Sequence, residues 1–190
     1  FANGLSKKYN IEVQCIACDL SLPEASDLIL NELNGKMINI FTYNAALSFI
    51  GPFESNSLAD HEKLTQVNVT TPMKLVHHFG KSMLNNKKGA VVLMASMAGF
   101  QGSGFLSAYA ATKAYNRILA ESLWYEWKDK GVDVIACCAG ATSSPNYIKT
   151  KPKQKVAFAP PVQTPEKVVQ ECLKQLGKGP SLITGRGNRL

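Results

Sequence analysis

The sequence predicts an α/β protein built on a doubly wound, mostly parallel sheet. Short apolar runs alternate with amphipathic stretches from one end of the chain to the other, the pattern of strands joined by helices. Two of those runs, GAVVLMAS at 89–96 and VDVIACC at 132–138, are continuously apolar, as strands covered on both faces must be. Helix punctuation falls between the runs. With 190 residues and 45% apolar content, one domain with a sizeable core accounts for the whole of 1–190.

Taken in order, IEVQCIAC (11–18) reads as the first strand. Ser21-Leu22-Pro23-Glu24 follows with the spacing of a capping box and a proline inside the first helical turn. MINIFTY (37–43) is the next strand, and the helical stretch after it carries QVNVTTP with Asn68. The strand at 89–96 leads through MAGFQGSGFL into a helix opening SAYAATKAY (107–115) and continuing through LWYEW (123–127). After the strand at 132–138, Thr164-Pro165 opens a helix that repeats apolar Val168, Cys172 and Leu176 and stops at Gly177. SLITG (181–185) is the last strand.

Charge and cysteines exclude some classes of function. The net charge of +7 is densest in KTKPKQK (149–155), but without interleaved aromatics or a helical period this reads as a solvated loop, and no nucleic-acid partner is expected. Five cysteines form no disulfide-scaffold pattern, which favours a reducing compartment. The CIAC run places Cys15 and Cys18 on opposite faces of a strand, so neither a redox pair nor a metal site is expected there. Adjacent His77 and His78 lie on different faces of a helix, and no metal is assigned to them. No apolar run approaches the roughly 20 residues that span a bilayer, and no charged leader precedes an apolar stretch at Phe1, so a cytoplasmic protein without a transmembrane segment is expected. Opening on Phe rather than Met suggests that the true start lies upstream.

In open α/β sheets the reacting groups gather beyond the carboxyl ends of the strands. Here those positions are Asp19-Leu20, Asn44-Ala45-Ala46, Ser96-Met97-Ala98-Gly99 and Ala139-Gly140-Ala141-Thr142. Tyr109 and Lys113 stand four apart on a helix and are neighbours. An ammonium about 5 Å from a phenol, at an effective dielectric near 20, favours the phenolate by roughly 3 kcal/mol, or about two pKa units. That would bring a tyrosine toward the working range of a general acid or base. A hydroxyl at Ser96 could add a hydrogen bond to a carbonyl oxygen gaining negative charge. An isolated Tyr-x-x-x-Lys is commonly a solvated face. Here the pair follows a serine that ends a buried strand, and an earlier helix carries Asn68.

Through SMAG, YAATK, VNVT and YNAA the chain resembles the short-chain dehydrogenase/reductase family over nearly its whole length. The resemblance implies a Rossmann-type domain and a nicotinamide cofactor, NAD or NADP. By it, Tyr109 is the catalytic acid/base, Lys113 lowers its pKa and holds the ribose, Ser96 binds the substrate carbonyl, and Asn68 holds a proton-relay water. Cofactor contacts fall to Asp19, Leu20, Asn44, Ala45, Val67, Gly140 and Thr142, with Tyr109 and Lys113. The implied activity interconverts a carbonyl and a secondary alcohol on a small apolar or lipid-like molecule, in a homo-oligomer (dimer or tetramer). A non-catalytic dinucleotide-binding member of the same fold is the alternative.

The chain departs from the family pattern at three places. YNAA has Tyr43 and Ala46 where the family has Asn and Gly, and Ala139 stands where a proline is usual. The glycine-rich turn that cradles the pyrophosphate on a helix N-terminus is not found. In the strand order 3-2-1-4-5-6, the runs at 11–18 and 37–43 would be separated by two strands, about 14 Å at 4.8 Å per neighbour. A fragment lacking the first βαβ unit, folding poorly alone, is the expectation. Leu47, Phe49, Phe100, Phe105, Leu106 and Tyr147 are candidates for an apolar substrate pocket, and the 149–155 lysines for contact with an acidic substrate group.

Overall fold

A strand needs a neighbour as well as an apolar face, and that requirement decides which of the runs join the sheet. The computed structural model describes residues 2–149 and 161–189. In it, Ile40–Tyr43 (β1), Gly89–Ser96 (β2), Val132–Ala139 (β3) and Ser181–Ile183 (β4) form one parallel sheet in chain order. β2 and β3 pair along their full length, Gly89 opposite Val132 and Ser96 opposite Ala139. The register therefore brings both strands to an end at the same edge. The connecting helices are α1 (Ala2–Tyr9), α2 (Ala25–Leu33), α3 (Leu58–Thr65), α4 (Thr71–Asn85), α5 (Ser107–Trp127), α6 (Pro145–Lys149) and α7 (Pro165–Gln175).

Alternation along the central strands divides the core between two faces. Val91, Leu93 and Ala95 of β2 and Val134, Ala136 and Cys138 of β3 pack with Leu75, Val76, Phe79 and Met83 of α4 and with Ala120 and Trp127 of α5. Val92, Ile135 and Cys137 point the other way, onto Val168 and Cys172 of α7. The helix opened by Thr164-Pro165 is thus present as read, with the Thr164 hydroxyl accepting from Lys167 N–H and Gly177 at φ +79° just beyond its end.

Other expectations are corrected. The run at 11–18 lies outside the sheet. Its alternation favours extended backbone, but among the described residues no strand pairs with it to complete a ladder. The strand expected from Met37 starts at Ile40, because Ile40 pairs with Ala90 and the residues before Gly89 are a turn with Lys87 at φ +50°. The capping box at Ser21 does not form. Asp19 Oδ1 instead accepts from Ser21 N–H at 2.9 Å, and α2 starts at Ala25 behind Glu24, whose side chain makes no capping bond. The sequence reading passed over α1, which buries no residue, and a π-helical turn at Gln66–Thr70 joining α3 to α4. No helix among the described residues is long and apolar enough to cross a membrane.

Gly80 of α4 admits the Trp127 indole so closely that a β-carbon there would stand 2.4 Å from the ring. Trp127 is buried and ends α5, so it has little room to retreat. Gly80→Ala should therefore lower the unfolding free energy by about 1–3 kcal/mol, measured by urea denaturation.

Candidate active site

Ser96 closes β2 where extended backbone turns into the short 3-10 turn Met97–Phe100, and its hydroxyl oxygen accepts from Ala98 N–H at 3.2 Å. That turn rests on α5 because residue 99 is glycine. A β-carbon at Gly99 would stand 2.7 Å from both Ala114 N and Lys113 C, backbone that cannot give way. With the turn seated, the Ser96 hydroxyl sits beside the phenol of Tyr109 in the first turn of α5, close enough to favour the phenolate. Lys113, one turn further along, is only 3% exposed. Its ammonium donates to Met94 O at 2.7 Å and lies 5.7 Å from the centre of the Tyr109 ring. Ser96, Tyr109 and Lys113 thus converge at the carboxyl end of β2.

The electrostatics differ from the sequence argument. Burial pushes the Tyr109 phenol up, and the Ser96 hydrogen bond only partly opposes it. Lys113 makes no resolved contribution to the tyrosine, and burial lowers its own pKa to about 8. The Coulomb estimate assumed a fully charged, solvated amine aimed at the phenol oxygen. In the fold the amine is desolvated, hydrogen-bonded to a carbonyl, and placed over the ring.

Asn68 is fully buried within the π-turn, and its side chain is engaged on both sides. Oδ1 accepts from Leu47 N–H at 2.8 Å. Nδ2 donates to Leu47 O at 2.8 Å and to Thr112 Oγ1 at 3.0 Å. Thr112 in turn donates to Tyr109 O at 2.8 Å, and the Asn68 carbonyl accepts from Asn116 Nδ2 at 3.0 Å. Sequence reasoning placed Gly99 at the strand end but missed Thr112 and Asn116, whose positions three and seven beyond Tyr109, on the same helix face, were the available signal.

The remaining predicted contacts lie at the ends of β1 and β3 and, for Asp19, Leu20 and Val67, in the turn before α2 and in the π-turn. Asn44 is exposed and Ala45 packs against the core. Tyr43, where the family pattern has asparagine, is buried and donates its hydroxyl to Val67 O, tying the end of β1 to the π-turn. Exposed Asp19 is held below the usual carboxylate range by the Ser21 N–H, and Leu20 O accepts from Thr71 Oγ1 at 3.0 Å. Thr142 turns its hydroxyl back to Gly140 O at 3.1 Å and pairs with Gln163 in a single parallel bridge.

Three of the apolar candidates share one small cleft. Phe49, Phe105 and Leu106 line a cleft of about 10 Å³ with Phe53, His61 and Leu64, too small for a substrate, while the Phe100 ring lies 4.5 Å from the Arg117 guanidinium carbon. His77 and His78 line a separate groove of about 380 Å³ between α2 and α4. Cys15 is exposed, whereas Cys18 bonds to Ala25 O at 3.6 Å. Of the lysine run, residues 150–155 lie outside the described residues.

The lowered Lys113 pKa has a thermodynamic consequence. Between pH 8 and the ordinary lysine value of 10.5 the unfolded chain binds more protons than the folded one, so stability should rise with pH across that window. Lys113→Met should flatten this rise, as read from denaturant unfolding at a series of pH values.

The family model for short chain dehydrogenases matches residues 2–155. A 7beta-hydroxysteroid dehydrogenase of Mediterraneibacter gnavus is 32% identical over 187 residues, covering 97% of this chain and 71% of the relative. A solved structure described as giving insight into 7beta-hydroxysteroid dehydrogenase stereoselectivity superposes with a TM-score of 0.89 at 29% identity, over 99% of this chain and 73% of the other. A short-chain dehydrogenase from Sphingobium yanoikuyae in complex with NADPH shares the fold, with a TM-score of 0.83 at 24% identity, over 96% of this chain and 71% of that one. The chain belongs to the short-chain dehydrogenase family of oxidoreductases.

Proposed function

We propose that the protein interconverts a ketone and a secondary alcohol on a large apolar molecule of the hydroxysteroid class, using NAD or NADP. The observation that carries this reading is the gathering of the Ser96 hydroxyl, the Tyr109 phenol and the buried Lys113 ammonium, 5.7 Å from the Tyr109 ring centre, at the end of β2. The substrate class follows the 7beta-hydroxysteroid dehydrogenases that resemble this chain over nearly all its length.

The residues present suit the nicotinamide and ribose portion of such a cofactor. Lys113 carries three N–H donors and gives one to Met94 O, leaving two for ribose hydroxyls. Asn44, Ala45, Gly140 and Thr142 follow the ends of β1 and β3, the sheet edge where dinucleotides bind in this fold class. The exposed Asp19 carboxylate is assigned to accept from the adenosine portion. When bound, the cofactor supplies or removes the hydride.

In the reductive direction the substrate oxygen gains negative charge as its carbon is reduced. The Ser96 hydroxyl turns toward that oxygen and stabilises it, and the Tyr109 hydroxyl delivers the proton. A phenol whose pKa is raised by burial stays protonated at neutral pH, the state a proton donor needs. Lys113 holds positive charge beneath the ring. Asn68 keeps the π-turn and the Leu47 backbone fixed against α5, which keeps Tyr109 in place. Ile118 and Tyr125, 50% and 67% exposed on α5, are apolar enough to sit in a homo-oligomer interface, and the proposed compartment is the cytoplasm.

Turnover of a 7-oxo steroid by the full chain with NADPH or NADH should be readable from nicotinamide absorbance. Tyr109→Phe should reduce kcat by about a thousandfold and Ser96→Ala by about a hundredfold, with circular dichroism unchanged. Full activity in Tyr109→Phe, or nucleotide binding without turnover of any ketone, would remove the catalytic reading.

A further inference from the structure

We infer that Asn116 is a positioning residue of this site, acting with Thr112 as a two-point clamp on Asn68; the inference rests on the catalytic reading of Ser96, Tyr109 and Lys113 given above. Thr112 and Asn116 stand four apart and share one face of α5. Both are buried. Thr112 Oγ1 receives the Asn68 side-chain amide at 3.0 Å, while Asn116 Nδ2 donates to the main-chain carbonyl of that same residue at 3.0 Å. Without Asn116, side-chain bonds alone, to Leu47 and Thr112, would hold Asn68 against its neighbours. The two attachments from α5, one to side chain and one to backbone, add a hold on the main chain of the π-turn that the side-chain bonds do not supply.

The orientation of the Asn116 amide is forced. A carbonyl can only accept, so the NH₂ group must face Asn68 O, and this leaves Asn116 Oδ1 buried without a partner among the described residues. An unpaired buried acceptor is costly, and leucine, with the same branching, would avoid it. Asparagine at this position therefore offers packing less than an apolar residue would. What it adds is the bond to the π-turn carbonyl, and violations of local preference of this kind gather where function requires them.

The consequence passes along named bonds. Asn68 holds both the N–H and the C=O of Leu47 in the segment after β1. Thr112, at the other end of the clamp, donates to Tyr109 O. The Leu47 segment, the π-turn and the first turns of α5 are thereby one hydrogen-bonded block, and Asn116 closes it.

The test uses Asn116→Leu and Asn116→Ala in the full chain, with turnover expressed per folded molecule. If the clamp acts as inferred, kcat falls about tenfold while KM and nucleotide affinity hold within about twofold. Amide hydrogen exchange at Leu47 and across residues 66–70 becomes faster, and the melting temperature of the leucine variant does not fall. Exchange unchanged in both variants overturns the inference whatever the turnover, and so does kcat within about twofold of the parent in both. Tyr109→Phe is run alongside. If it keeps full turnover, the catalytic reading fails, and the exchange at Leu47 alone then decides whether the clamp exists.

Discussion

The full-length pairing of β2 with β3 is the constraint from which the site follows. Residue-for-residue register from Gly89 and Val132 to Ser96 and Ala139 makes both strands expire together, so the turn after Ser96 and the turn after Ala139 open onto one edge. Burial on both faces makes that register hard to shift, because a slip of one residue would exchange the side chains packed on α4 and α5 with those packed on α7. β1 and β4 add short flanks and inherit their placement from the central pair. The chemistry is located by strand length before any polar side chain contributes.

α5 is then fastened to this edge at two levels. At the level of the backbone, Gly99 allows the turn after Ser96 to lie directly on Lys113 and Ala114. At the level of side chains, Asn68 joins Thr112 and Asn116 to the Leu47 segment. The first contact sets how far Ser96 lies from Tyr109. The second limits rotation of the helix about its axis, to which a phenolic oxygen at the end of a long side chain is especially sensitive.

What could be read in the sequence, and what could not, separates along physical lines. The runs at 89–96 and 132–138 were legible because double-sided burial leaves a continuous apolar signature, and the helix from Thr164-Pro165 because its cap and its period agree. The run at 11–18 misled, since alternation reports extended backbone and says nothing about a neighbouring strand. Ser21 and Glu24 had capping-box spacing, yet the Asp19 carboxylate took the local N–H first. Ser96, Tyr109 and Lys113 could be grouped from spacing and strand position, whereas the tyrosine's acidity could not: Coulomb's law is simple in a sequence, but desolvation depends on how deep the fold places each group, and here it dominates for both Tyr109 and Lys113. The π-turn at Gln66–Thr70 lay beyond reach because a bulge in a helix leaves no periodic mark.

Gly140 touches the 3-10 turn Arg186–Asn188 that follows β4: a β-carbon there would stand 2.4 Å from Asn188 Nδ2, and that amide is anchored on Thr184 O at 2.7 Å. Gln163, paired with the backbone at Ala141 and Ser143, shares Glu171 with Arg189 and Gly185 N–H. Residues remote in sequence from α5 therefore form the floor under the loop leaving β3. Changes made near residue 188, far from β3 in primary structure, would reach Thr142 through that floor as a mechanical displacement.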